Sequence, residues 1–178
     1  MTRILTDLLN AIAQDDGLLE SQTLGNLSDL NAKELAQFQA AWNGYSPDRR
    51  RELLAALFES AEQHVEQDFR TIFAWALDDV DPVNRVLALE GLWEDERPQL
   101  IPKLKVMLNQ DEDEAVRAAA ALALGRFIYF GEIGAIDSGV AEEARQAHWD
   151  SYHVPNETLN VRRRVLEGLA ASGEPSVT

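Results

Sequence analysis

One pattern occurs four times along this chain and constrains its fold more than any other feature. Each copy has an arginine, and the four are Arg50, Arg85, Arg117 and Arg162. A leucine follows seven residues later, and the residue before that leucine is always small: Ala56, Gly91, Ala123 or Gly168. The arginines are 35, 32 and 45 residues apart. Periods of about 30–47 residues with two helices in each unit are typical of an α-solenoid.

Helical periodicity dominates the rest of the chain, and no long segment alternates apolar and polar residues. The pattern predicts an N-terminal helix and polar loop over residues 1–31, with the loop running from Gly17 to Asn31. Beyond them it predicts one folded unit of helix pairs over 32–178, with helices near 32–43, 47–63, 66–78, 82–94, 98–110, 114–128, 139–150 and 157–171. The second helices of the pairs are those near 47–63, 82–94, 114–128 and 157–171. The fold class is therefore predicted to be all-α.

The starts of the second helices carry capping signals. Ser46 precedes Pro47 and Asp81 precedes Pro82, so a capping side chain stands before a proline at the first helical position. The third helix begins in "DEDEAVRAAAALALG", where acidic residues oppose the positive end of the helix dipole. Because this helix is apolar nearly all round, we expect it to be buried between neighbours, with Ala120 in a helix interface.

Composition limits the partners and the chemistry. The net charge is −15, with 16 basic against 31 acidic residues, which disfavours nucleic acid and membrane surfaces and favours neutral or basic partners. The chain has no cysteine and no apolar run approaching the roughly 20 residues that span a bilayer. We expect a cytoplasmic protein.

No residue pattern indicates catalysis, a cofactor or a metal. His148 and His153 are five residues apart, beyond the spacing of a helical metal pair, and are predicted to lie at a helix end and its polar exit. The carboxylates fall mostly at helix ends, so no desolvated general acid or base is expected. The glycines of "GEIGAIDSG" follow no predicted strand, so a loop is expected rather than a phosphate site. Tyr129 and Phe130 are left open between buried anchors and exposed contacts.

The segments "DPVNRVLALEGL", "DEAVRAAAALALG" and "NVRRRVLEGLAASG" resemble the second helices of HEAT repeats, particularly the short HEAT-like repeats named from phycobilisome lyases. The resemblance covers about residues 46–172. It implies a right-handed stack whose second helices line a concave face, and a scaffold or binding role rather than catalysis. Asn84 departs from the pattern, because valine is usual at its position.

The repeated arginines have two interpretations. The structural one is an ion pair with an acidic residue at a helix start, such as Asp81, Asp113 or Glu114. The other is a ladder of ligand-binding arginines along one edge of the stack. The clusters at 49–51 and 162–164 cannot form flat basic patches, because three consecutive helical residues point over about 200°.

The main hypothesis for function is a non-catalytic scaffold that binds a protein or peptide on its concave face. The alternatives are a bilin-lyase-type or other small-molecule-handling protein, and a nucleic-acid-binding module, which the charge opposes. The candidate partner-binding residues are Glu90, Trp93, Leu122, Arg126, Arg163 and Glu167. Trp93 is left open between core and exposed contact.

The C-terminal repeat is expected to leave an apolar edge exposed. Val161, Val165 and Leu169 continue the internal pattern, while Gly173 and Pro175 are predicted to end this helix and open another. The chain is thus a candidate N-terminal part of a longer array, with association possible through this edge.

Overall fold

The computed structural model describes residues 2–14, 19 and 21–170, and these residues form helices and no strand. The first six helices are α1 (Thr2–Ile12), α2 (Ser21–Leu24), α3 (Ala32–Trp42), α4 (Pro47–Gln63), α5 (Arg70–Ala76) and α6 (Pro82–Gly91). The remaining four are α7 (Ile101–Gln110), α8 (Glu114–Glu132), α9 (Ser138–Tyr152) and α10 (Leu159–Ala170). The predicted fold class, all-α with helix pairs of the α-solenoid type, is confirmed.

The chain forms two compact units, Met1–Leu92 and Trp93–Thr178. In the first unit, α6 packs on α4 and α5, and α1 packs on α3. In the second, α8 is central and contacts α7, α9 and α10. The boundary between the units falls within the segment 32–178, and the division of the sequence at residue 31 stays a prediction.

The predicted caps are present at the second helices. The Ser46 hydroxyl accepts from the Arg49 backbone N–H at 3.1 Å, and the Asp81 carboxylate accepts from the Val83 N–H at 2.9 Å. Asp113 likewise accepts from the first N–H groups of α8. The start of α10 has a cap that the sequence analysis missed, since the Thr158 hydroxyl accepts from the Val161 N–H.

Two segments that were predicted as loops are partly helical. The polar loop at 17–31 contains α2 and a 3-10 turn at Gly25–Leu27, because Leu24 and Leu27 are buried. Helix α8 continues to Glu132, four residues beyond the expected end. The extension packs closely, since a Cβ atom added at Gly131 would lie 2.2 Å from the Cβ of Ala141. The glycine there serves helix packing and not a loop.

The first unit holds its N-terminal helix through two buried polar side chains. The Arg49 Nε donates to the carbonyl of Ile12 at 2.8 Å, and the Tyr45 hydroxyl donates to the carbonyl of Leu9 at 2.9 Å. Burial raises the pKa of Tyr45 to about 12, although the charge of Arg49 opposes the shift. Both side chains bind carbonyls of the last turn of α1, and the Leu9 carbonyl also accepts from the Ala13 N–H at 3.1 Å.

The alanine-rich helix is buried as predicted. Ala120, Ala121 and Leu124 are fully buried in α8, and Val116 and Phe127 extend the same buried surface. Small side chains let the axes of α7, α9 and α10 approach α8 closely. The core of the second unit is therefore built around this one helix.

Replacing Ala120 by leucine tests this packing. We expect Ala120→Leu to overpack α8 and to lower the free energy of unfolding by about 1–3 kcal/mol, measured by urea denaturation. The matched control is Ala115→Leu on the same helix, where the side chain is exposed. Equal urea midpoints for the two variants would contradict the burial of this face.

Candidate functional site

The four repeated arginines occupy one structural position. Each is the fourth residue of its second helix, α4, α6, α8 or α10. Each donates to a backbone carbonyl at or just beyond the end of the preceding helix: Arg50 to Trp42 at 3.0 Å, Arg85 to Asp79 at 2.9 Å, Arg117 to Asp111 at 2.9 Å and Arg162 to Val154 at 3.0 Å. The Trp42 carbonyl is the last of α3 and so has no partner within that helix, and the other three lie in the loop beyond the helix end. The arginine thus joins the two helices of each pair.

Two of these arginines also pair with a carboxylate in the loop of the next helix pair. Arg50 contacts Asp79 at 3.1 Å, and Arg117 contacts Glu157 at 2.9 Å. The structural interpretation of the repeated arginine holds for these two. Of the expected partners, Asp81 pairs with Arg51 and the Asp113 side chain caps α8, while the charge of Glu114 helps to raise the pKa of Arg117.

Asp79 is the best-satisfied buried carboxylate of the first unit. Its oxygens accept from the Trp42 indole at 2.8 Å, the Asn84 amide at 3.1 Å and the Asp81 N–H at 2.9 Å, in addition to Arg50. Burial raises the pKa of Asp79, but these hydrogen bonds and the charge of Arg50 together outweigh it and lower the pKa below its usual value. Asn84, which departs from the repeat pattern, is fully buried and provides one of the donors.

Glu157 repeats this arrangement in the second unit. Burial opposes its ionisation, but the hydrogen bonds from Arg117 and the Thr158 N–H lower its pKa. The hydrogen bonds to Glu157 raise the pKa of Arg117 in turn. Both groups are therefore charged and paired at neutral pH.

His148 was predicted at a helix end, and this is wrong. It lies inside α9 and is fully buried, because its ring fills the space beside two glycines. Nδ1 lies 2.9 Å from the carbonyl oxygen of Ala144, and Nε2 lies 3.1 Å from that of Ala121 on α8. Burial lowers the pKa of His148. The two carbonyls favour the charged ring and oppose this shift, but burial is the larger effect. His153 directly follows α9 and is exposed, as expected.

The sequence analysis also missed two buried carboxylates. Asp79 and Asp95 stand in loops with no apolar pattern around them, and only their hydrogen bonds allow burial. Asp95 accepts from the backbone and side chain of Arg97 at 2.9–3.0 Å. In the described part of the chain, no group of three metal-ligating side chains comes together and no helix is long and apolar enough to cross a membrane.

An exposed face of α8 carries two of the six candidate partner-binding residues. The side chains of Leu122, Arg126, Tyr129 and Ile133 recur at helical spacing, and we call this set the α8 face. Leu122 is 41% exposed, Tyr129 is 49% exposed and Ile133 is also exposed. Arg126 is half-buried, and burial lowers its pKa although the nearby charge of Asp95 opposes this. The face is mainly apolar.

The other candidate residues lie on separate elements. Trp93 precedes α7 and is 52% exposed, which decides the open question in favour of an exposed position. Arg163 and Glu167 are exposed on α10, 3.6 Å apart. Glu90 is exposed on α6 and belongs to the first unit.

The apolar edge expected at the C-terminal repeat was wrong at the residues that predicted it. Val161, Val165 and Leu169 are fully buried, because this side of α10 faces α8 and α9. Other residues of α10 are exposed instead, with Leu159 the most accessible. Gly173 and Pro175 lie outside the described residues.

A family comparison agrees with the repeated geometry. Residues 69–145 match the family model described as HEAT repeats. The similarity to HEAT repeats therefore covers α5 to α8 and the first part of α9. No curated protein and no solved structure matches it. HEAT repeats commonly mediate protein interactions, because the stacked helix pairs present extended surfaces.

Asp79→Asn tests how far the first unit depends on this carboxylate. The amide cannot neutralise Arg50, so we expect the free energy of unfolding at pH 7 to fall by about 3–5 kcal/mol. Urea denaturation followed by circular dichroism measures the loss. Glu59→Gln, an exposed change on α4, is the matched control and should leave the midpoint near that of the parent.

The difference between parent and Asp79→Asn should also depend on pH. Because the pKa of Asp79 is lowered by folding, its contribution is complete above about pH 4 and is lost as the pH falls through the folded pKa. The two unfolding free energies should therefore converge in acid. A constant difference from pH 7 to pH 2 would show that charge is not the cause.

Proposed function

We propose that this protein is a non-catalytic scaffold that binds a protein or peptide segment through the α8 face. The observation that supports the proposal is the exposure of Leu122 and Tyr129 on α8, a helix that is otherwise largely buried, and of Ile133 directly after it. Contiguous exposed apolar side chains mark interaction surfaces in soluble domains.

The α8 face is held rigidly, which suits binding. Buried residues such as Leu124 and Phe127 fix the helix on its other side, so little conformational entropy is lost when a partner docks. Tyr129 and the exposed Trp93 supply aromatic groups of the kind that dominate interface energetics. The partner is proposed to be neutral or basic, because the chain carries a net charge of −15.

The lowered pKa values of two carboxylates, Asp79 and Glu157, support a non-catalytic role. A general acid at neutral pH needs a raised pKa, whereas the pKa values of Asp79 and Glu157 are both lowered. Their oxygens are also occupied by hydrogen bonds within the fold. We propose a cytoplasmic setting, consistent with a chain that uses no cysteine.

Site-specific photo-crosslinking tests the binding face. A benzophenone amino acid at position 122, introduced into the full chain in its source cells, should give a discrete crosslinked protein band identifiable by mass spectrometry. The matched position is 106 on α7, because Val106 and Leu122 have similar exposures of 48% and 41%.

The Tyr129→Ala variant provides the control for specificity. It removes an exposed aromatic side chain, so the fold should persist while the crosslink from position 122 weakens. Equal crosslinking from positions 122 and 106, or a band insensitive to Tyr129→Ala, would refute the α8 face as the binding surface.

Nucleic acid should not bind. Counterion release at physiological salt requires several basic groups on one face, and Arg50, Arg117 and Arg162 are directed at carbonyls of the fold. Titration of labelled duplex and single-stranded DNA at about 150 mM salt should give no low-micromolar binding by fluorescence anisotropy. A dissociation constant in that range or below would overturn this part of the proposal.

A further inference from the structure

His148 lies where three helices of the second unit meet. It belongs to α9 and is fully buried beside Gly125 of α8 and Gly168 of α10. A Cβ atom added at Gly168 would lie 2.3 Å from Nε2 of the ring and 3.1 Å from the Cα of Gly125. The two helices can approach the ring this closely because these residues have no side chain. The imidazole therefore packs against backbone on both α8 and α10.

Both ring nitrogens of His148 face carbonyl oxygens, and these belong to two different helices. Nδ1 lies 2.9 Å from the oxygen of Ala144 on α9, and Nε2 lies 3.1 Å from that of Ala121 on α8. A neutral imidazole has one N–H group, so it donates to one oxygen and directs the lone pair of its other nitrogen at the second. Only the protonated ring, with two N–H groups, donates to both. The contact is therefore arranged differently in the two protonation states.

We propose that His148 is a proton-sensitive contact that holds α8, α9 and α10 together when neutral and loosens the second unit when protonated in mildly acidic solution. Protonation adds one hydrogen bond, but it also places a positive charge in an apolar junction. Burying a charge without a counter-ion costs more free energy than one added hydrogen bond returns. This property is independent of the binding function proposed for the α8 face.

The charged groups on the surrounding helices have partners other than the imidazole. Four basic side chains of these helices lie near carboxylates, and the pairs are Arg126 with Asp95, Arg164 with Glu167, Arg145 with Glu132, and Lys105 with Glu143. Tyr152, one turn after His148 on α9, packs against the rings of Trp149 and His153. Within the described residues, burial lowers the pKa of His148 and only the two carbonyls oppose it. No carboxylate compensates a charge on the ring.

The sign of the pH effect follows from the direction of the shift. Because folding lowers the pKa of His148, the unfolded chain takes up this proton first as the pH falls. The contribution of His148 to stability is complete above about pH 6.5 and is lost as the pH falls through the folded pKa. One linked proton reduces the folding equilibrium constant by up to about tenfold per pH unit in this window. Most carboxylates titrate near pH 4, below this window.

The pH dependence of unfolding tests the inference with the full chain. His148→Gln keeps a side-chain N–H donor but cannot be protonated, and His153→Gln makes the same change at an exposed histidine directly after α9. From pH 7 to pH 5, the folding equilibrium constants of the parent and of His153→Gln should fall about tenfold more than that of His148→Gln. Urea denaturation followed by circular dichroism measures the three profiles. Parallel profiles for the parent and His148→Gln, or a parent that gains stability in acid, would overturn the proposal.

A titration of the parent keeps the test decisive if His148→Gln does not fold. The chain has three histidines, so the signals that disappear in His64→Gln and His153→Gln assign the third set to His148. Carbon and nitrogen NMR shifts should show a neutral imidazole at pH 7 and a midpoint for His148 below that of His153. A midpoint at or above that of His153 would refute a contact that is weakened by protonation.

Hydrogen exchange shows which helices loosen. Between pH 7 and pH 5.5, amides of α8, α9 and α10 should lose protection after correction for the intrinsic exchange rate. Amides of α4 and α6 in the first unit should keep theirs, and so should those of α8 in His148→Gln. An equal loss in both units, or unchanged protection in α8 of the parent, would contradict a proton-sensitive contact in the second unit.

Discussion

The hydrogen bond from the repeated arginine to the end of the preceding helix underlies both units. The last turn of a helix leaves carbonyl groups without partners, and burying them unpaired would cost free energy. Arg50 reaches the last carbonyl of α3, and Arg85, Arg117 and Arg162 reach carbonyls in the loop just beyond the preceding helix. Arg50 and Arg117 also bind an acidic loop residue of the next pair. In these two repeats, one arginine thereby joins its helix both to the segment before it and to the loop of the next helix pair.

In the second unit, α8 and α10 pack closely because the two residues at their contact are glycines. Gly125 and Gly168 bring α8 and α10 into backbone contact, and the His148 ring occupies the space beside them. A neutral imidazole can donate to only one of its two carbonyl neighbours, Ala121 or Ala144. The two carbonyls favour the charged ring, but burial outweighs them and lowers the pKa of His148. This histidine is a packing element and not a ligand.

The features that could be predicted from the sequence are those that depend on residues close together along the chain. Helix starts followed from Ser46 and Asp81, and burial of α8 followed from its run of alanines. The missed features depend on contacts between residues distant in sequence. Asp79 is buried because Trp42, 37 residues away, donates to it, and no local pattern around Asp79 signals that bond. An exposed apolar edge was expected at the C-terminal repeat, but the residues of α10 that are exposed, Leu159 and Leu166, were not identified, because periodicity does not show which side of a helix its neighbours cover.

On α8 and α10, the buried residues that stabilise the fold and the exposed apolar residues lie on different sides of the helix. The inward sides of α8 and α10 use alanine, valine and glycine, whose small volume allows close packing but offers little to a partner. The outward sides carry Tyr129, Leu122, Leu159 and Leu166, whose removal leaves no cavity in the core. The exposed part of these side chains contributes no burial energy to the fold, and it gains burial energy when a partner covers it. The binding proposal thus rests on residues that can be replaced without unfolding the protein, so loss of binding can be measured apart from loss of structure.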